Sequence, residues 1–310
     1  MTIPSAYSFT RYLAAKKSVD DRALNKTVWK SLARTVAAHP VEDRMRVLEI
    51  GSGIGTMVER TLDWGLLSSA TYLALDAEPA NISEAASRLP SWAAENGYTI
   101  EGPGSHSVRL RGQGQDVLVR LETAELFEFL ARESGNSKWD LLIASAFLDL
   151  IDVPATLPKL FSLLKPGGLF YFTITFDGAT IIQPEIDAAF DAQIEALYHE
   201  TMDRRVIGEK LSGDSRTGRH FFEHARILGA TLLEAGASDW VVYADPDGYR
   251  GDEAYFLHFI INTIGLALNN HPNLDQARFA EWIRERHAQI EKGRLVYIAH
   301  QMDFFGQVAS

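Results

Sequence analysis

Residues 48–56 read LEIGSGIGT, an apolar run that breaks into glycines at positions 51, 53 and 55. Lacking a Cβ, Gly51, Gly53 and Gly55 allow a sharp turn and a close approach of backbone to ligand. A buried strand followed by such a turn opens many nucleotide-binding α/β folds. The spacing argues against two common ligands. The dinucleotide fingerprint G-x-G-x-x-G needs a glycine at 56, where Thr56 stands, and no glycine–lysine–serine/threonine ending marks a phosphate loop.

The strand feeding this turn is MRVLEIGSG, and further apolar runs follow it: ATYLALDAE (70–78), DVLVRLETAE (116–125), WDLLIASA (139–146) and GLFYFTITFDG (168–178). Helical stretches lie between them, which predicts right-handed crossovers and a parallel sheet covered on both faces. The N-terminal 40 residues also read as helical, with Leu24, Val28, Leu32 and Val36 at four-residue spacing. After the fifth strand the rhythm changes. A helix over 183–202 is followed by the loop LSGDSRTG (211–218), a helix from Arg219 to about Ala235 stopped by Gly236, and a sixth strand SDWVVYA (238–244). Two helices, 252–268 and 274–291, precede a last strand RLVYIAHQMDFF (294–305).

Of the 310 residues, 46% are hydrophobic, ample for a well-filled core. Thirty basic against 41 acidic residues give a formal charge of −11, so nucleic acid is not an expected partner. The absence of cysteine rules out disulfides, thiolate metal sites and a cysteine nucleophile, and suits a reducing cytoplasm. The most apolar stretch, 254–268, is shorter than a membrane span and carries His258, Asn262 and Thr263. A soluble, cytoplasmic protein with no membrane partner is expected.

The pattern E-x-G-x-G-x-G from Glu49 to Gly55 resembles motif I of the class I S-adenosylmethionine-dependent methyltransferases. Three further motifs follow in that family's order: Asp76 with Ala77 after the second strand, Glu125 after the third, and the run from Asp140 to Ala146 leading to LLKPGGLFYF. The resemblance implies a Rossmann-like α/β fold, a mostly parallel seven-stranded sheet with an antiparallel last strand, and S-adenosyl-L-methionine as cofactor. It implies contacts from Glu49, Gly51, Ser52, Gly53 and Gly55 near the methionine moiety, Asp76 and Ala77 at the ribose and adenine, Glu125 with Leu126 at the adenine, and Ser145 and Ala146 from the fourth strand. Glu122 competes with Glu125. The family's (Asp/Asn)-Pro-Pro-(Tyr/Phe) motif for adenine or amide substrates is replaced here by Ala144-Ser145-Ala146-Phe147, which again argues against nucleic acid.

A single domain over 1–310 is expected, with a cofactor-binding core of 41–178, 219–249 and 293–310. Residues 1–40, 179–218 and 250–292 then form a helical cap over the carboxyl ends of the strands, closing a pocket for a small-molecule substrate; a homodimer interface is the alternative use of these helices. Arg11 and Tyr12 can reach the cofactor from the first helix, and Arg204, Arg205 and Arg219 can meet an anionic substrate. Two residues are candidates for a general base, His220 at the start of its helix and Asp149 beyond the fourth strand; Asp149 could equally cap a helix. His220 and His224 have a metal-binding spacing but no third ligand, so no metal is expected. His300 is expected in the sheet as a hydrogen-bonded core residue. The reading is methyl transfer to an oxygen or nitrogen of a small molecule. The rivals are a non-methylating use of the same cofactor, a nicotinamide-dependent oxidoreductase, and a catalytically silent binding subunit.

Overall fold

In chain order the elements are α1 (Phe9–Ala23), α2 (Lys26–Ala38), β1 (Met45–Ile50), α3 (Thr56–Asp63), β2 (Ser69–Asp76), α4 (Pro79–Glu95), β3 (Thr99–Gly104), β4 (Ser107–Gly112), β5 (Gln115–Thr123), α5 (Leu126–Arg132), β6 (Trp139–Ser145), α6 (Val153–Phe161), β7 (Leu164–Gln183), α7 (Ala188–Asp203), β8 (Val206–Ile207), β9 (Lys210–Leu211), α8 (Thr217–Ile227), β10 (Thr231–Ala237), β11 (Trp240–Val242), α9 (Glu253–Ala267), α10 (Gln276–Glu291) and β12 (Val296–Gln307). This computed structural model describes residues 3–38, 44–104, 106–136, 138–207 and 210–309, without the side chains of 103, 207, 210 and 211. Residues 1, 2, 39 and 40, expected to be helical with the rest of the N-terminal 40, lie outside that set.

The sheet runs β10–β12–β7–β6–β1–β2–β5–β4–β3, with β11 beside β12. Its centre is parallel, β1 pairing with β2 and β6, β2 with β5, and β6 with β7. Both faces of β1, β6 and the middle of β7 are covered, which is why they read as continuous apolar runs, whereas β2 and β5 alternate buried and part-exposed residues. The last strand β12 is antiparallel to β7. The fold is the Rossmann-like class I arrangement. Local chemistry starts the helices: Asp152 caps α6 through Ala155 N, Asp187 caps α7 through Phe190 N, and Asp275 caps α10 through Ala277 N.

Four sequence expectations need correction. The helix from Arg219 to Ala235 is instead α8, ending at Ile227, followed by strand β10. Gly229, at φ +69°, breaks the helix. Residues 231–237 favour helix by composition, but their backbone is recruited by β12, Thr231 pairing with Gln307 and Ala237 with Met302. The segment 238–244 supplies only the short β11. Between the second and third predicted strands, β3 and β4 form an antiparallel hairpin that widens the sheet beyond β5. The fifth strand also runs on to Gln183, because β12 pairs with it as far as Val296.

β7 bends in its middle. Ile174 sits at φ +54°, a genuine outlier for a β-branched residue. Its amide donates to Asp303 Oδ1 at 2.9 Å, while Asn25 N donates to Oδ2 of the same carboxylate at 2.8 Å. Burial pushes the Asp303 carboxyl up to about 6. The bend stands beside the ends of the central strands, and Ile174 there becomes part of a cavity wall.

Candidate active site

At the carboxyl ends of β1, β2, β5 and β6 the chain encloses a cavity of about 750 Å³, within the usual range for small-molecule sites. One half is walled by the glycine loop and the residues after β2, β5 and β6. Gly51 has φ +68°, and a Cβ there would stand 2.6 Å from Phe147; Gly53 has φ +54°, and a Cβ would meet Leu13 at 3.2 Å. The positive φ disfavours a side chain at both positions, and at Gly51 the space is also too tight for a Cβ unless Phe147 shifts. Gly53 N donates to Asp76 Oδ2 at 2.7 Å, so the carboxylate at the end of β2 holds the loop in its turn. Asp76 Oδ1 accepts from Glu78 N at 2.9 Å and Asn81 Nδ2 at 3.1 Å. A carboxylate offers about four acceptor sites, which leaves one, on Oδ2, for a ligand hydroxyl.

Two polar atoms beside this turn, Ser52 Oγ and Asn81 Oδ1, are buried without a partner. Buried orphans of this kind on a cavity wall fit a polar ligand. Glu49 lies below them, almost wholly buried, with Tyr72 Oη donating to its Oε2 at 2.7 Å. Burial pushes its carboxyl up to about 8, against the opposing effects of the Tyr72 hydrogen bond and the Arg60 charge.

The other half of the cavity is apolar, with Ile174, Phe176, Tyr198, Met202, Phe259 and Tyr297 among its walls. Asp149 stands in it, on a single 3-10 turn at Leu148–Leu150. Its Oδ1 is buried with no hydrogen-bond partner, and burial raises the carboxyl above the ordinary carboxylate range. It caps no helix, since α6 is capped by Asp152. The turn is held from behind: Arg205 Nη1 donates to Asp149 O at 3.4 Å, Ser212 Oγ to Leu150 O at 2.7 Å, and Gly213 N to Ile151 O at 3.2 Å. Gln301 Oε1, on β12, is a second unpartnered acceptor in the wall.

The methyltransferase domain family matches residues 22–213. The chain belongs to that family. With the glycine loop and Asp76 described above, membership makes S-adenosyl-L-methionine its cofactor. No curated protein matches the chain. Among solved structures it is similar to the phosphoethanolamine N-methyltransferase 2 of Haemonchus contortus, at 13% identity and a TM-score of 0.42, over 99% of this chain and 61% of that one. It is also similar to the geranyl diphosphate C-methyltransferase of Streptomyces coelicolor A3(2), at 10% identity and a TM-score of 0.41, over 90% and 77% of the two chains.

Within this methyltransferase domain the cavity gathers Glu49, Gly51, Ser52, Gly53, Asp76, Ala77, Glu125, Leu126, Ser145, Ala146, Tyr12 and Asp149. Gly55 is not in the wall; it precedes α3 at φ +82° and shapes the turn from behind. Glu125 both lines the cavity and caps α5, its Oε2 accepting from Phe127 N at 2.6 Å. Glu122 points elsewhere, paired with Arg132 at 2.6 Å. Ala146 adopts φ +51° where β6 turns into the site, a backbone strain of the kind that collects at functional sites.

Other expectations fail on geometry. His220 is half-exposed on α8, bound to Asp214 through Nδ1 at 2.5 Å, and is not in the wall, because it lies with Arg219 on the exposed face of a first turn whose Thr217 and Gly218 are buried. Arg11 also points away, pairing with Asp252 at 2.8 Å, whereas Tyr12 stacks on Phe259 with centroids 4.2 Å apart. Of the three arginines, Arg204 pairs with Glu200 and Arg219 with Asp177, and Arg205 alone reaches the cavity. His300 is hydrogen-bonded as expected, to Asp239 at 2.8 Å, but its side chain is 36% exposed rather than buried in the core. Tyr198, Gln301 and the Lys16–Asp20–Arg60 cluster, whose ion pairs at 2.7 and 3.5 Å tie α1 to α3 beside the glycine loop, join the wall without a signal in the motifs. Only the four-residue spacing of Tyr198 and Met202 hinted at a shared face.

Proposed function

We propose that this protein transfers the methyl group of S-adenosylmethionine to an oxygen or nitrogen of a small, largely apolar molecule, with Asp149 as the proton acceptor. The observation that carries the reading is the Asp149 carboxylate, buried and unpartnered at Oδ1 in the wall of the same cavity as the glycine loop. When bound, the cofactor supplies an electrophilic methyl group. Glu49, the backbone around Ser52 and Gly53, Asp76 and Glu125 hold it, with Tyr12 closing over it from α1.

The apolar chamber holds the acceptor molecule and excludes water. A hydroxyl or ammonium group needs somewhere to lodge its proton, and Asp149 Oδ1 is a buried carboxylate oxygen in the apolar half that lacks a donor, with Gln301 Oε1 beside the same chamber as an unpartnered hydrogen-bond acceptor. A neutral amine needs positioning alone, and there Asp149 orients the nucleophile through a hydrogen bond. A carboxyl group of raised pKa is a better proton acceptor than an ordinary one. Residues from α1, α7 and α9 line the chamber, which supports the use of segments 1–40, 179–218 and 250–292 as a cap. Among the described residues no helix is long and apolar enough to cross a membrane, and we place the reaction in the cytoplasm.

The test is incubation with S-adenosylmethionine and pooled hydroxyl- or amine-bearing small molecules, read by mass spectrometry. The reading expects an acceptor that gains one methyl group, with S-adenosylhomocysteine formed in equal amount. Cofactor consumed without a methylated acceptor would replace it with cleavage or cyclisation of the cofactor.

A further inference from the structure

A second cavity, of about 560 Å³, opens on the face of the sheet that α5 is too short to cover. It shares no wall residue with the active-site cavity and lies toward the amino ends of β1, β2 and β6, where Arg46, Thr71 and Trp139 stand. Its charges are unusual for a chain of formal charge −11. The two acids of the wall are already matched, Glu122 by Arg132 and Glu133 by Lys138. Arg46 and Arg120 are left over. Among the described residues neither guanidinium has a carboxylate or carbonyl partner; that of Arg46 lies over the Trp139 ring, 5.2 Å from its centroid. Register sets these two arginines on one face, Arg46 opposite Thr71 and Arg120 opposite Leu73, two strands or about 10 Å apart laterally.

A third donor stands with them. Trp139 is 4% exposed, and its indole Nε1 is buried with no acceptor. A buried indole N–H normally finds a partner. The wall of the cavity thus holds two uncompensated guanidinium groups and an orphaned, buried N–H, all donors, with Leu73 as apolar floor. Guanidinium groups match phosphate and carboxylate oxygens in shape and charge. We propose that this cavity is a second ligand site, which binds a small molecule bearing two or more oxyanions, phosphate or carboxylate, between Arg46, Arg120 and the Trp139 indole.

The test uses the whole protein saturated with S-adenosylhomocysteine, so that the first cavity is filled. Inorganic pyrophosphate and citrate, at matched ionic strength, serve as probes of the two oxyanion sources. Calorimetry should show saturable binding of at least one of them, and which one binds identifies the source. The Trp139 indole N–H resonance, assigned by its loss in Trp139→Phe, should move on titration. Arg120→Gln, which removes an exposed guanidinium and should leave S-adenosylhomocysteine binding unchanged, should weaken probe binding at least ~10-fold, the scale of one lost charge-assisted hydrogen bond. No saturable binding of either probe overturns the proposal. So does binding that leaves the Trp139 resonance unmoved or that survives Arg120→Gln at full strength.

Discussion

Replacing Glu49 with glutamine should remove a proton that the wild-type protein releases when it binds its cofactor. The buried Glu49 carboxyl titrates at about 8, so at pH 7 it is roughly nine-tenths protonated in the free protein. A ligand whose ammonium group comes to rest near it favours the carboxylate, and binding must then expel about 0.9 proton at that pH. The sign follows: cofactor affinity rises with pH up to about 8. Between pH 6 and 7.5 the ionised fraction grows roughly 20-fold, which sets the expected tightening, about 2 kcal/mol. S-adenosylhomocysteine is the suitable ligand, because it carries the ammonium and is not turned over. Calorimetry in two buffers of different ionisation heat counts the protons directly, and the same titrations give affinity against pH. Glu49→Gln should show neither proton release nor the pH slope. Wild-type affinity that stays flat from pH 6 to 7.5, with no proton released, would refute the placement of Glu49 beside the cofactor's charge.

Asp149→Asn should lower turnover of a protonated acceptor by roughly 10²–10⁴ while leaving S-adenosylhomocysteine affinity nearly unchanged; His220→Ala, outside the cavity, should leave turnover within about twofold, both read by steady-state kinetics. Asp76→Ala should weaken cofactor binding by about 1.5–3 kcal/mol in calorimetry, since it removes an acceptor of charged hydrogen bonds and releases Gly53 N. The buried rings of His258 and His287 meet at Nδ1, 2.8 Å apart, and burial lowers His258 to about 4. Their folded-state pKa is depressed, so stability is present above the unfolded value near 6.5 and is lost as pH falls toward 4. Urea unfolding should therefore show about 2 kcal/mol less stability at pH 5 than at pH 7 from His258, a difference that His258→Asn should abolish.

The alternation of helix and strand, the glycine turn and the acid after the second strand were legible in the chain because each is a local matter. A strand buried on both faces must be continuously apolar, a tight turn at positive φ favours glycine, and a strand end places its next carboxylate at the ligand edge. LEIGSGIGT and Asp76 therefore stand where their residue types require. The failures were of other kinds. Residues 231–237 favour helix by themselves, and only the open edge of β12 made them a strand. His220 and Arg11 sat on the right elements but the wrong sides, because which face of a helix meets a cavity is set by its rotation against partners distant in sequence. Tertiary structure alone brought Tyr198 and Gln301 into the chamber beside Asp149 and Arg205 and left Arg46, Arg120 and Trp139 together under an uncovered stretch of sheet. Periodicity along the chain encodes which surfaces are buried; what they are buried against depends on register and crossover, which no local pattern carries.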